Sequence, residues 1–272
     1  MLYYNSRLTR DGDELVKKSV LKDKLIKMTG KSAEEIEPLI THIYVQLFGV
    51  SGNGGKFGEA HIPREFSDYF LENSPVAQKQ GDIYRTLTRY VETFKRYYNP
   101  KDGDQPICNI YLWSNEKGNG KSTTAAALLN EFMIMGWKAS VSLSRSWDKP
   151  PAFFLDVNEL QALYNKFTRN GIAQEIAEEA SREYYRLIDK ATVAPLVVFD
   201  DIGVRSATEA FRGDIHTIIN KRMVDGLTSI YTSNFPLKYM AELFDERIYD
   251  RIHANCIDIN FKGQSMRGVN AK

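Results

Sequence analysis

Cysteine is scarce in this chain of 272 residues: only Cys108 and Cys256 occur, far apart and with no C-x-x-C partner. That excludes a disulfide framework and a thiolate metal cluster, and it makes a reducing cytoplasm the expected compartment. The four histidines, His42, His61, His216 and His253, stand at no ligand spacing, so no zinc is expected. No apolar run approaches the roughly 20 residues that span a bilayer, and the N-terminus lacks the charged-then-apolar order of a signal peptide, so no membrane partner is expected. Excess charge is missing as well, with 36 Lys and Arg against 35 Asp and Glu and a formal net charge of +1. Any contact with nucleic acid must therefore be local. Internal repeats and low-complexity tracts are absent. What is present is 43% hydrophobic and 26% charged residues, the balance of a globular chain large enough for one sizeable domain and a small appendage.

Two helical patterns open the chain, at about 12–29 and 32–48. In the second, Ser32 and Glu35 stand at capping-box spacing, and Ile36, Leu39, Ile40, Ile43, Tyr44 and Leu47 share a face. The first offers Leu15, Val16, Val20, Leu21 and Leu25 to meet it, with Met28-Thr29-Gly30-Lys31 as the turn. Residues 49–58, G-V-S-G-N-G-G-K-F-G, read as a flexible boundary. They imitate a phosphate loop, yet Phe57 stands where magnesium chemistry wants a hydroxyl. Two domains follow: a helical N-terminal module with its linker at 1–60, and a larger domain at 61–272. In the latter a helix is expected at about 75–97. Short apolar runs at 108–113, 138–143, 195–199 and 227–232 then read as buried parallel strands, alternating with helices at about 121–135, 156–170, 172–190 and 207–223. The order predicts an α/β fold with a parallel central sheet sandwiched by helices.

The sharpest chemical signal is N-E-K-G-N-G-K-S at 115–122, between a strand pattern and a helical, alanine-rich one. A nucleoside triphosphate needs backbone N–H groups turned inward around its phosphates, with a helix N-terminus behind them. Gly118 and Gly120 supply the tight turn, Lys121 reaches the β- and γ-phosphates, and the Ser122 hydroxyl meets Mg²⁺. Asn115, Glu116, Lys117, Asn119 and Thr123 complete the candidate ATP-binding stretch. Asn115 stands where the usual pattern begins with glycine, and asparagine tolerates left-handed backbone better than most residues. Downstream, Leu196–Phe199 ends in Asp200-Asp201, two acids at the C-terminal edge of a strand where open α/β sheets bind ligands. Asp200 is expected at Mg²⁺, directly or through water, and Asp201 at the attacking water.

Taken in order, N-E-K-G-N-G-K-S, V-V-F-D-D-I-G (197–203), I-I-N-K-R (218–222), Y-T-S-N (231–234), E-R-I-Y-D-R-I (246–252) and G-Q-S-M-R (263–267) resemble the AAA+ domain of the DnaC/DnaI-type replicative helicase loaders, over roughly residues 62–270. The resemblance implies an ATPase. It makes Asn234 the sensor of the γ-phosphate or attacking water, and Arg251 the arginine finger that reaches a neighbouring subunit's ATP, with Arg247, four residues earlier on the same helix face, able to exchange roles with it. Arg267 matches the second sensor. Outside that motif order each arginine reads as a solvated surface charge. A finger acting between subunits implies self-association of a heterologous kind.

Single-stranded DNA and a DnaB-type replicative helicase are the partners the resemblance implies. Lys166 and Arg169 match the basic groups that meet DNA phosphates, and Phe167 the aromatic that stacks on a base. Phe167 also reads as a core residue, as aromatics at helical spacing usually are. Residues 144–152 are longer and richer in proline than the family pattern, and the cysteine-rich N-terminal region of DnaI-type loaders is absent, so residues 1–48 are expected to take over helicase contact. With only a short stretch after Arg267, no separate helical lid is expected. An IstB-like transposition ATPase shares most of these motifs, and a nucleotide-binding scaffold without hydrolysis is the remaining alternative.

Overall fold

The computed structural model describes residues 2–144, 147, 149–203, 207–244, 246–263 and 265, with side chains from residue 12 onward. The chain divides into two compact units, Met1–Asp68 and Tyr69–Lys272.

The first unit is a helical hairpin, α1 (Leu2–Thr29) and α2 (Ala33–Phe48), followed by a short α3 (Gly55–Glu59). The Ser32–Glu35 capping box forms reciprocally: Glu35 N–H donates to Ser32 Oγ at 3.3 Å, and Ser32 N–H to a Glu35 carboxylate oxygen at 2.8 Å. Leu21 and Leu25 are buried, as are Ile36, Ile40, Ile43, Tyr44 and Leu47. Leu15 and Val16, expected inside, are 69% and 57% exposed, and Leu39 is exposed too. The residue of that stretch that goes inward is Lys17, whose ammonium donates to the Gly52 carbonyl at 3.2 Å and to Ser67 Oγ at 2.7 Å. An amphipathic stem can bury in this way when its charge finds acceptors.

The glycine-rich segment is not a free linker. Gly54 N–H donates to the Phe48 carbonyl at 2.7 Å, and Phe57 is buried with its ring 4.7 Å from that of Phe48. Burying a phenylalanine is worth about 2–3 kcal/mol. A Cβ on Gly55 would stand 2.6 Å from the Gly49 nitrogen. Glycine therefore serves close backbone approach here rather than mobility.

The second unit contains α4 (Gly81–Glu92), α5 (Lys95–Tyr98), β1 (Asn109–Trp113), α6 (Lys121–Ser142), β2 (Ala152–Asp156), α7 (Val157–Thr168), α8 (Gln174–Val193), β3 (Leu196–Asp200), α9 (Glu209–Val224), β4 (Thr228–Ser233), α10 (Tyr239–Leu243), α11 (Glu246–Ala254) and β5 (Cys256–Asn260). The strands form one sheet in the order β2-β3-β4-β1-β5, and every pairing is parallel. Val197, Phe199, Tyr231, Tyr111, Phe153 and Leu155 pack on α7–α11, while α6 packs on β1 to β4 from the other face and carries α4 and α5 outside it. Helices thus cover both faces, as the near-continuous apolar strands require.

The expected strand at 138–143 does not exist. Those residues extend α6 as far as Ser142, and Val141 and Leu143 are exposed. An established helix gains one hydrogen bond for each residue added, and that outweighs a short alternating pattern with no neighbour to pair with. The real strand, β2, lies in the Ala-Phe-Phe-Leu run after Pro150-Pro151. The unanticipated β5 forms the edge beside β1, and the single helix expected at 75–97 breaks into α4 and α5.

Candidate active site

The loop after β1 turns into α6 through Gly118 (φ 76°) and Gly120 (φ 95°), the latter being the residue that caps the helix. Both sit in left-handed backbone that costs other residues 1 kcal/mol or more, roughly. Lys121 opens the 22-residue helix and is 7% exposed. Its ammonium donates to the Glu116 carbonyl at 3.2 Å, Asn119 Oδ1 at 3.4 Å and Asn234 Oδ1 at 3.1 Å. Ser122 and Thr123 are half-buried, and Asn115, Glu116 and Lys117 are exposed at the rim. Asn119 is 1% exposed, and its amide donates to the Phe261 carbonyl at 3.3 Å. It ties the loop to the chain leaving β5.

Asp200 ends β3 beside Asp156, its register partner at the end of β2. Its carboxylate accepts from Thr232 Oγ1 at 2.6 Å and also hydrogen-bonds Ser122. Burial pushes its pKa up to about 6. The hydroxyls of Thr232 and Ser122 oppose that rise, and the charges of Asp156 and Asp201 add to it. Asp201 follows at φ 57°, in left-handed backbone that aspartate tolerates at a functional turn. Its N–H donates to Thr232 Oγ1 at 2.7 Å. Its two carboxylate oxygens accept from Asn234 Nδ2 at 2.7 Å and Asn158 Nδ2 at 2.9 Å.

The structure therefore brings Lys121, Ser122, Asp200, Asp201 and Asn234 together at the C-terminal ends of β1, β3 and β4. Two members escaped the sequence reading. Thr232 orients both acids from β4, and its signal was its place two residues before Asn234. Asn158 stands at the start of α7, where Asp156 Oδ1 caps the helix by accepting from the N–H groups of Asn158 (2.8 Å) and Glu159 (3.2 Å). No local motif marks it.

Other expected residues lie elsewhere. Arg251 is exposed on α11 and donates to Asn220 Oδ1 on α9; Arg247 is exposed on the same helix. Arg267 lies outside the described residues. Lys166 and Arg169 are exposed at the far end of α7. Phe167 is half-buried, with its ring 5.3 Å from Tyr164, 5.2 Å from Tyr184 and 6.4 Å from Tyr185.

The donor set suits a triphosphate with a hard divalent cation. A lysine and a helix N-terminus face a carboxylate that burial has made costly to ionise, and a serine hydroxyl touches that carboxylate. Among the described residues no three His, Cys, Asp or Glu side chains gather as a metal cage. A cation here would draw on Ser122, Asp200 and ligands from the substrate.

No protein-family model matches the chain. The replicative helicase loader DnaC of Escherichia coli strain K12 is 23% identical to it over 208 residues, which are 76% of this chain and 70% of that protein. A crystal structure described as that of DnaI covers 77% of this chain and 99% of its own at 20% identity, with a TM-score of 0.50. A putative primosome component from Streptococcus pyogenes serotype M3 covers 79% of this chain and 100% of its own at 19% identity, with a TM-score of 0.49.

Proposed function

Proceeding from the chain's standing as an AAA+ relative of the DnaC/DnaI-type helicase loaders, we propose that it is an ATPase that delivers a replicative helicase of the DnaB type onto single-stranded DNA. The observation that carries the ATPase reading is the convergence of Lys121, Ser122, Asp200, Asp201 and Asn234 at three adjacent strand ends. The turn at Gly118–Gly120 and the first N–H groups of α6 cradle the phosphates, and Lys121 supplies the point charge on the β- and γ-groups. Mg²⁺, held by Ser122 and Asp200, would neutralise charge on the transferred phosphoryl group. Asp201, oriented by Asn158, Asn234 and Thr232, polarises the attacking water. Asn234 bridges Asp201 and Lys121, which suits a sensor of the γ-phosphate.

Arg251 serves a neighbouring subunit. Its exposed position on α11 and its bond to Asn220 support an action outside its own site. Lys166 and Arg169 form the DNA-phosphate contact, and residues 1–68 take the helicase. In this reading ATP binding orders the assembly and hydrolysis releases it.

Calorimetric titration with Mg·ATP tests the core of the proposal. The unmodified protein should bind, Lys121→Ala should not, and Arg251→Ala should bind normally while turning over about 1,000-fold more slowly or worse, the range of a lost arginine finger. Normal turnover by Arg251→Ala would refute the finger. Capture of a DnaB-type helicase in the presence of ATP tests the loader assignment, and failure to capture any such helicase would leave only the ATPase.

A further inference from the structure

Beneath the phosphate loop lies a row of buried hydroxyls for which the proposed chemistry gives no role. Ser74, Tyr84 and Thr124 are all buried. Ser74 Oγ is 2.6 Å from Tyr84 Oη, and Tyr84 Oη is 2.9 Å from Thr124 Oγ1. Thr124 Oγ1 in turn donates to the Gly120 carbonyl at 2.7 Å. Each hydroxyl owns one proton. The proton of Thr124 is committed to Gly120, so Tyr84 must donate to Thr124, and Ser74 must donate to Tyr84. Ser74 Oγ also accepts from Val76 N–H at 3.3 Å. The proton count alone fixes the direction, from Ser74 through Tyr84 and Thr124 to Gly120. Burial raises the pKa of the Tyr84 phenol above its ordinary value, so it keeps the proton it must donate.

The end of this chain is informative. The Gly120 carbonyl also accepts from Thr124 N–H at 2.9 Å, so two donors on one residue hold it. That carbonyl shares a planar trans peptide with the N–H of Lys121, and in such a plane the two groups point in opposite directions. Fixing the carbonyl toward the body of α6 therefore aims the Lys121 N–H at the mouth of the loop, where a phosphate would sit. We propose that Tyr84 is a positioning residue for triphosphate binding, acting through Thr124 to lock the Gly120–Lys121 peptide plane. The inference rests on the ATP-binding reading above and adds to it a residue outside the phosphate loop, on α4.

The test uses the full chain with Tyr84→Phe and the double variant Tyr84→Phe/Thr124→Val. Tyr84→Phe should raise the Kd for Mg·ATP about tenfold, the scale of one buried hydrogen bond. In steady state the loss should fall on KM rather than kcat. It should also lower the melting midpoint, because Thr124 and Ser74 lose a partner in a buried place. The double variant removes a mismatched pair together, so it should recover most of the midpoint while the Kd stays raised. Wild-type affinity in Tyr84→Phe would overturn the proposal. So would recovery of affinity together with the midpoint in the double variant, which would make Tyr84 a purely structural residue. A titration of the unmodified protein separates the two failures: no ATP uptake there brings down the ATPase reading and this inference with it, whereas normal uptake with an unaffected Tyr84→Phe brings down the inference alone.

Discussion

Asp200 shows what a carboxylate at the proposed magnesium site costs its own fold. Its pKa, near 3.8 in an unfolded chain, stands at about 6 in the folded one, chiefly through burial. Between those values the folded state holds more protons than the unfolded state, so stability falls as pH rises from about 4 to about 6, and above that the whole penalty is present. Asp200→Asn should therefore stabilise the nucleotide-free protein at pH 7 by an amount on the order of 1–3 kcal/mol, seen as a higher melting midpoint, while hydrolysis is lost. Thermal melts of both proteins at pH 4 and pH 7 check this: the gain should shrink at the lower pH, and an unchanged midpoint at pH 7 would contradict it. The same residue was legible in the sequence because an apolar run ending in two acids marks a strand end. Asn158 was not legible, and Thr232 only by its place before Asn234, since both roles depend on which strand ends meet at Asp200 and Asp201, and no local pattern records which strands are neighbours. Asn119 was placed in the ATP-binding stretch because it stands inside the motif; its side-chain bond to the Phe261 carbonyl, which anchors that loop, depends on a residue 142 positions away and had no local signal.

Among the elements, the short strands β1 and β3 were readable, since a parallel sheet covered on both faces leaves continuous hydrophobic runs, and β4 was readable from its β-branched and aromatic residues Thr228, Ile230, Tyr231 and Thr232. The strand β2 was hidden behind a proline-rich stretch, and β5 alternates too weakly to announce itself, with only Ile259 buried. The I-I-N-K-R segment acquires a physical meaning in the structure. Arg222 is fully buried on α9, and its guanidinium donates to Ser229 Oγ at 3.0 Å and to the carbonyls of Ala191 (2.8 Å), Ala194 (2.7 Å) and Thr228 (2.5 Å). It pins the end of α8 and the start of β4. Arg222→Met would strand four acceptors and should cost more than about 3 kcal/mol, read by urea unfolding; a loss below about 1 kcal/mol would show that water replaces those bonds. The other end of α7 carries the DNA hypothesis. Phe167 touches three tyrosines, so its removal would confound stacking with stability. The exposed pair is the cleaner probe: Lys166→Ala/Arg169→Ala should weaken single-strand binding and flatten its salt dependence by about 1.4 in log–log slope, at about 0.7 for each phosphate contact. An unaltered slope would remove these residues from the DNA interface.

At the scale of the whole molecule, a finger that serves a neighbour makes activity a property of an assembly. Lys121→Ala protein lacks a working pocket yet carries Arg251, and Arg251→Ala protein has the reverse defect. Mixed in equal amounts, the two inactive variants should regain a measurable fraction of wild-type turnover, because some junctions then pair an intact pocket with an intact arginine. No recovery at any mixing ratio would mean that the arginine works within its own chain, or not at all.

The glycine segment at 49–58 has a practical consequence for anyone dividing this chain. A cut after residue 48 or 60, where composition alone invites it, would strand the Lys17 ammonium over the Phe48 ring, the first without either acceptor, Gly52 or Ser67, and the second without Ser67. A gene fragment ending at residue 68 keeps that side chain satisfied. It is the shorter piece, ending at 60, that should be recovered as insoluble or protease-sensitive material.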